Sequence, residues 1–197
     1  ILDINQQKIH EREVEALAQL AKILGKSLDL QSLLMQILKT AIHVIPASEK
    51  GTILLADQNG QLEIKAVQGY KDPRVATASF PLEKGYAARA FRQKKAHIIS
   101  DARSDVEIRY DGEIQEMGKI QSAVVAPLIA HDDAIGVISL DNATSKDAFN
   151  EHDLHMLESF AATAALVIER ARYYEDMERH SAHTIALNAI LVAASSI

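Results

Sequence analysis

The sequence contains no cysteine and no tryptophan, and only eight glycines and four prolines among 197 residues. The missing thiol excludes disulfides, thiolate metal sites, thiol nucleophiles and any cofactor tethered through sulfur, covalent bilins included. It also fits a reducing, cytoplasmic compartment. Aromatic residues are scarce, four phenylalanines and five tyrosines, so no pocket built from them can be strongly aromatic. Basic charge is in the minority: 21 Lys and Arg stand against 27 Asp and Glu, a net charge of −6. That balance leaves no footprint for a phosphate backbone or an anionic lipid surface, so neither nucleic acid nor direct membrane contact is expected. No apolar run reaches the roughly 20 residues that a bilayer crossing requires, and no charged start leads into a signal-like stretch. Catalytic patterns are missing as well. No Gly-rich phosphate loop, no nucleophile beside a base and no metal-spaced cluster stands out, so the expectation is a non-enzyme without catalytic or metal-ligating residues.

What is present is apolar content, 48% of the chain, enough for one core and therefore one domain with helical extensions. In the first 24 residues Val14, Leu17, Leu20, Ala21 and Leu24 recur at helical spacing, with Gly25 as a stop. A second helix has Asp29 as N-cap, carries Leu33, Leu34, Ile37, Leu38, Ala41 and Ile45 on one stripe, and ends at Pro46. Residues 52–68 then read as a hairpin around Gln58-Asn59-Gly60-Gln61, because Asn-Gly supplies the positive φ angles of a tight turn. "ATASFPL" is a third strand, "GYAARAFRQKK" a short helix opened by Gly85, and "AHIISD" a further strand. A polar stretch follows, and "SAVVAPLIA" and "AIGVISLDN" form a second hairpin around His131-Asp132-Asp133.

The last helix opens at "FNEHDLHML", with Asn150 as N-cap and Asp153 where a carboxylate favours the positive helix end. No Gly or Pro interrupts it afterwards, so about 48 residues at 1.5 Å each give roughly 70 Å. That exceeds the roughly 40 Å diameter of a domain of this size, and the helix must project. Its apolar face is wide. Leu154, Leu157, Ala161, Ala164 and Ile168 suffice to cover a sheet, while Phe160, Ala164, Val167, Ala171 and Tyr174 alternate at four and three like a coiled-coil seam. The expected cover for that second row is another copy of the chain, joined by Leu17, Leu20 and Leu24 of the first helix; the alternative is an upstream helix of the same chain.

The closing stretch "HTIALNAILVAASSI" has no cap and no polar taper. Set against "EALAQLAKILGKSL" at constant offset, Leu17 meets Leu187, Leu20 meets Ile190, Ala21 meets Leu191 and Gly25 meets Ser195. A repeat beginning again would account for this, and the expectation is a piece of a longer protein.

Four phrases carry a resemblance: "SLDLQSLLMQIL", "GYAARAFRQKKAHIISDARSD", "SAVVAPLIAHDDAIGVISLDN" and "FNEHDLHMLESFAATAALVIERARYYED". In this order they resemble a GAF domain, a small-molecule-sensing module of signalling proteins. The resemblance implies an α+β fold over residues 25–176, an antiparallel sheet of five or six strands with helices on one face and a ligand pocket on the other. Residues 80–118 would roof that pocket. It also implies an N-terminal signalling helix over 1–24, a linker helix over 177–197 that can open a second repeat, and a homodimer through these helices reporting to an output domain elsewhere. One departure matters. Members that bind cyclic nucleotides carry Asn-Lys and then Phe, three residues, Asp-Glu. Here Asn142, Phe149 and Asp153 match, but Ala143 and Leu154 replace the Lys and Glu, with Lys146 as an electrostatic substitute only by looping back.

Within the implied pocket Phe80, Tyr86 and Phe91 can stack a planar ligand, Asp101 and Ser122 can hydrogen-bond it, and Ile99 and Val124 complete an apolar lining. Arg109 with Tyr110 can clasp an anionic group. Phe80 and Phe91 also fit plain core, and Arg109 a solvated charge. His97 can ligate haem or sit as a core histidine, and the pairs His152/His155 and His180/His183 read better as solvated faces than as metal ligands or phospho-acceptors. Two functions stay open: a sensor for an unidentified small molecule, and a dimerisation spacer whose pocket is filled by its own side chains, which Ala88 in place of the family's frequent Gly would allow.

Overall fold

The computed structural model describes residues 30–104, 110 and 112–194, with residues 174–194 described by their backbone alone. The expected first helix, with Leu17, Leu20 and Leu24, the Asp29 cap, Arg109 and the side chain of Tyr174 lie outside the described residues.

Helix α1 (Leu30–Val44) buries Leu33, Leu34, Ile37, Leu38, Ala41 and Val44, the stripe that a 3.6-residue period dictates. Six strands follow: β1 (Lys50–Ala56), β2 (Gln61–Gln68), β3 (Ser79–Pro81), β4 (His97–Ile99), β5 (Ser122–Ala130) and β6 (Asp133–Asn142). Helix α2 (Tyr86–Gln93) lies between β3 and β4, and α3 (Glu151–Ala194) follows β6. The strands form one sheet in the order β3-β2-β1-β6-β5-β4, antiparallel at every pairing. This is the expected α+β architecture with six strands.

Turn chemistry sets the two hairpins. Between β1 and β2, Gly60 takes φ 77°, while Asp57 accepts from the amides of Asn59 at 2.9 Å and Gln61 at 2.7 Å. Between β5 and β6, His131 and Asp132 take φ 48° and 68°, the doubly left-handed turn that matches strand twist. Asp133, read as part of this turn, is instead the first residue of β6. The third strand is only Ser79–Pro81, shorter than "ATASFPL", because Pro73–Thr77 folds as a 3-10 turn capped by Asp72.

A bulge between Ile53 and Leu54 of β1 leaves Lys65 of β2 without an opposite residue. One extra residue flips the side chains beyond it. Leu62 and Ile64 therefore join one core layer and Ala66 the other.

The two faces of the sheet carry separate layers. Ile53, Leu55, Val124, Ala126, Leu128, Ile138 and Leu140 pack with α1 and α3. Leu54, Ala123, Val125 and Val137, the alternate positions, face α2 and the loops. Each fully buried Leu or Ile contributes about 1.5–3 kcal/mol.

Helix α3 starts with a reciprocal cap. Asn150 Oδ1 accepts from the amides of His152 at 2.8 Å and Asp153 at 3.2 Å, and Asp153 Oδ2 accepts from the Asn150 amide at 3.0 Å. Its 44 residues extend over about 66 Å. Three residues of the row expected to form an intermolecular seam are covered within the chain: Phe160 is 6%, Ala164 0% and Val167 5% exposed, and the partly buried Ala171 packs against the same layer as α1. The correction has a geometric cause. With α1 and the sheet both against α3, the intramolecular cover is wider than the sheet alone.

Candidate functional site

On the face away from α1 and α3, Leu54 and Ile64 of the sheet, Phe80 of β3, Tyr86 of α2 and Tyr110, Met117 and Ile120 of the loop before β5 enclose a cavity of about 300 Å³. That volume is at the lower end for small-molecule sites, and the lining is mostly apolar as such sites require. Gly85, at φ 98°, turns the chain into α2 and places Tyr86 over the sheet. The Phe80 and Tyr110 rings meet edge to face, with centroids 6.3 Å apart, and the Tyr110 hydroxyl accepts from the Ile114 amide at 3.2 Å.

The deep end is polar. Thr52 and Ser139, opposite each other on β1 and β6, line it, and Asp141, only 1% exposed, lies two residues along β6 from Ser139. Three hydroxyls donate to this carboxylate. Ser139 reaches Oδ1 at 2.8 Å, Tyr86 reaches Oδ1 at 3.0 Å, and Tyr70 reaches Oδ2 at 2.7 Å. Burial pushes the Asp141 carboxyl above the ordinary range, against the opposing pull of the Tyr70, Ser139 and Tyr86 hydroxyls and the Lys50 charge. Burial, together with the Asp141 charge, holds both tyrosines well above their usual range, so they remain protonated donors.

Lys50 ties this cluster to the roof. Its ammonium lies 4.8 Å from the centre of the Tyr70 ring and 2.5 Å from Glu116 Oε1. Glu116 Oε2 also accepts from the amides of Lys71 at 2.9 Å and Asp72 at 2.8 Å. Burial pushes the Glu116 carboxyl up, but Lys50 and the two amides outweigh it and leave it below its ordinary value. One carboxylate thus pins the segment carrying Met117 and Ile120 to β1 and to the turn after β2.

Of the candidate pocket residues, the fold brings Phe80, Tyr86 and Tyr110 to the cavity. Phe91 and Ile99 pack in the same core layer outside the lining. Asp101 instead pairs with Lys146 at 2.6 Å and accepts from the Arg103 amide at 3.0 Å. Ser122 is buried and donates to the Ser145 carbonyl at 2.8 Å. Val124 faces α1 on the other side of the sheet, since β5 alternates.

The partial nucleotide motif has structural duties: Asn142 accepts from the Thr144 and Ser145 amides and donates to the Ala47 carbonyl, Phe149 is core and Asp153 caps α3. His97 Nε2 is buried without a partner, and burial, with Arg89 and Lys95 nearby, pulls its ring below the usual histidine range. Among the described residues no three His, Asp or Glu come together as metal ligands, and no helix is long and apolar enough to cross a membrane.

Thr52, Tyr70, Ser139 and Asp141 were not among the candidates. The signal for two of them was present in "GVISLDN", where Val137, Ser139 and Asp141 share one face and Ile138 and Leu140 the other.

A six-stranded antiparallel sheet with two long helices on one face, and a short helix and a roofed cavity on the other, defines a class of α+β modules. The chain belongs to the GAF domain family, whose model matches residues 27–169. Solved structures similar to it include the GAF domain of a phosphoenolpyruvate-protein phosphotransferase from Acinetobacter, at TM-score 0.69 and 16% identity, covering 83% of this chain and 97% of that one. Residues 122 to 287 of a methyl-accepting chemotaxis protein are similar at TM-score 0.67 and 24% identity, covering 79% and 98%. The GAF-B domain of DevS from Mycobacterium smegmatis is similar at TM-score 0.62 and 20% identity, covering 76% and 99%. Among curated protein sequences none matches.

Proposed function

We propose that the chain is a cytoplasmic, non-catalytic sensory module of a larger signal-transduction protein, in which a small molecule in the cavity biases the packing of helices in a homodimer. The observation that carries this reading is the cavity of about 300 Å³ between the sheet and the segment held by Glu116. Space of that size weighs against a spacer whose pocket is filled by its own side chains. The similar structures from a chemotaxis protein, a phosphotransferase and DevS support a signalling context.

Strand β6 supplies a route for coupling. Ser139 and Asp141 belong to the cavity side, while Ile138 and Leu140 pack in the layer of α3. A ligand moves the helices only through its difference in affinity between two packings, a coupling of about 1–3 kcal/mol. The homodimer forms along the outward face of α3, where Leu166 and Tyr173 are 56% and 62% exposed and seven residues apart. The output domain belongs to other parts of the protein.

Native mass spectrometry of freshly purified protein tests the reading. A dimer that retains a defined small molecule supports it. An empty assembly that no small molecule stabilises on heating overturns it in favour of the spacer.

A further inference from the structure

Of the hydroxyls at the deep end of the cavity, those of Ser139, Tyr86 and Tyr70 have no free protons, while Thr52 beside Ser139 keeps its own. Ser139, Tyr86 and Tyr70 each own a single O–H, and all three point at the Asp141 carboxylate. A hydroxyl that has donated its proton can offer a further partner only its lone pairs. Ser139 and Tyr86 both line the cavity, so the buried carboxylate behind them turns two amphoteric groups into acceptors. We infer that the cavity selects a largely apolar ligand that leads with a neutral or cationic N–H or O–H donor, which enters the deep end and bonds the Ser139 and Tyr86 oxygens.

The inference rests on the sensing reading above and specifies its ligand class. Three further observations agree with it. The wall above the polar end is apolar, with Leu54, Ile64, Met117 and Ile120, so the ligand's body has little polar surface to satisfy. Of the lysines that bear on the cavity, Lys84 lines it, and Lys50, over the Tyr70 ring, is engaged by Glu116 at 2.5 Å and cannot neutralise a second anion at the deep end without breaking the roof strap. An anionic head there meets the Asp141 charge in a desolvated setting, where like charges repel strongly. A ligand without a donor strands the lone pairs of Ser139 and Tyr86 away from water, a penalty of about tenfold in affinity or more.

Matched probe pairs in which a methyl group caps the donor provide the test: indole with 1-methylindole and phenol with anisole, with benzoate as the anionic member. Each is titrated into the full 197-residue chain, labelled with nitrogen-15, and amide shifts are followed. Donor members are expected to bind about tenfold more tightly than their capped partners, with benzoate weakest. Ser139→Ala should narrow the gap within each pair, weakening the donor members and relieving the penalty on the capped ones. Tyr86→Phe should do the same and guards against a fold defect in the first variant. Equal affinity within the pairs, or tighter binding of benzoate, overturns this inference and leaves the cavity as a ligand site. Absence of shifts with every probe overturns the sensing reading and the inference with it.

Discussion

The hydroxyl of Tyr86 donates to Asp141 across 3.0 Å, joining the first residue of α2 to the end of β6 beneath it. This bond fastens one wall of the cavity to the strand whose other face carries α3. Tyr86→Phe removes the donor and keeps the ring. The expected cost is about 1.5–3 kcal/mol, the usual value for a hydrogen bond to a charged group. A fall in the urea midpoint at constant slope is the check, and an unchanged midpoint would show that water replaces the phenol.

Asp141 and Glu116 should respond to pH in opposite directions. Burial raises the Asp141 carboxyl above 3.8 in the folded state, so its effect on stability is least harmful below that value. The cost grows as pH rises through the folded pKa. Glu116 is held below 4.5, despite burial, by Lys50 and the Asp72 and Lys71 amides. Its stabilisation is present above that value and is lost as pH falls through the folded pKa. Urea midpoints from about pH 3 to 7 should show Glu116→Gln removing part of the acid-side loss, and Asp141→Asn removing part of the decline on the rising side. Identical profiles for both variants and the parent would contradict the assignments.

Ala164→Glu is expected to unfold the protein rather than merely to separate copies. Ala164 is fully buried, and an unpaired carboxylate there costs more than about 3 kcal/mol. Leu166→Glu, at a site 56% exposed, should keep the protomer's unfolding free energy within about 0.5 kcal/mol of the parent's. On the proposed outward interface it also converts dimer to monomer by light scattering. Dimers that survive in Leu166→Glu would move the interface off that face.

Gly136→Ala should be destabilising although its backbone conformation is ordinary. A Cβ there would lie 2.3 Å from the Leu54 carbonyl oxygen and 2.7 Å from Leu55 Cδ2. Overpacking of this kind costs about 1–3 kcal/mol. A thermal midpoint equal to the parent's would show that β1 and β6 can separate locally without penalty.

Much of the fold was legible in local patterns. The stripe of α1, the Asn59-Gly60 turn, the Gly85 entry to α2 and the Asn150–Asp153 cap each depend on residues a few positions apart, so spacing alone announces them. For the cavity, Phe80, Tyr86 and Tyr110 were legible because they fall in the roofing segment. Phe91, Ile99, Asp101, Ser122 and Val124 are drawn elsewhere by core packing, by the ion pair with Lys146 and by strand alternation.

The amino-acid order by itself determined most of the helices and strands among the described residues, which chemistries the lack of cysteine forbids, and that one face of each element must be buried. These follow from periods of 3.6 and 2 and from side-chain inventory, which need no partner. Tertiary structure alone decided where Asp141 finds Tyr70, 71 residues away in the chain, and Tyr86, 55 away. It likewise decided that α1 and the sheet together cover the Phe160–Val167 row of α3. Both outcomes depend on which faces meet once the sheet has formed. Burial energy sets that choice over the whole molecule, and no local spacing encodes it.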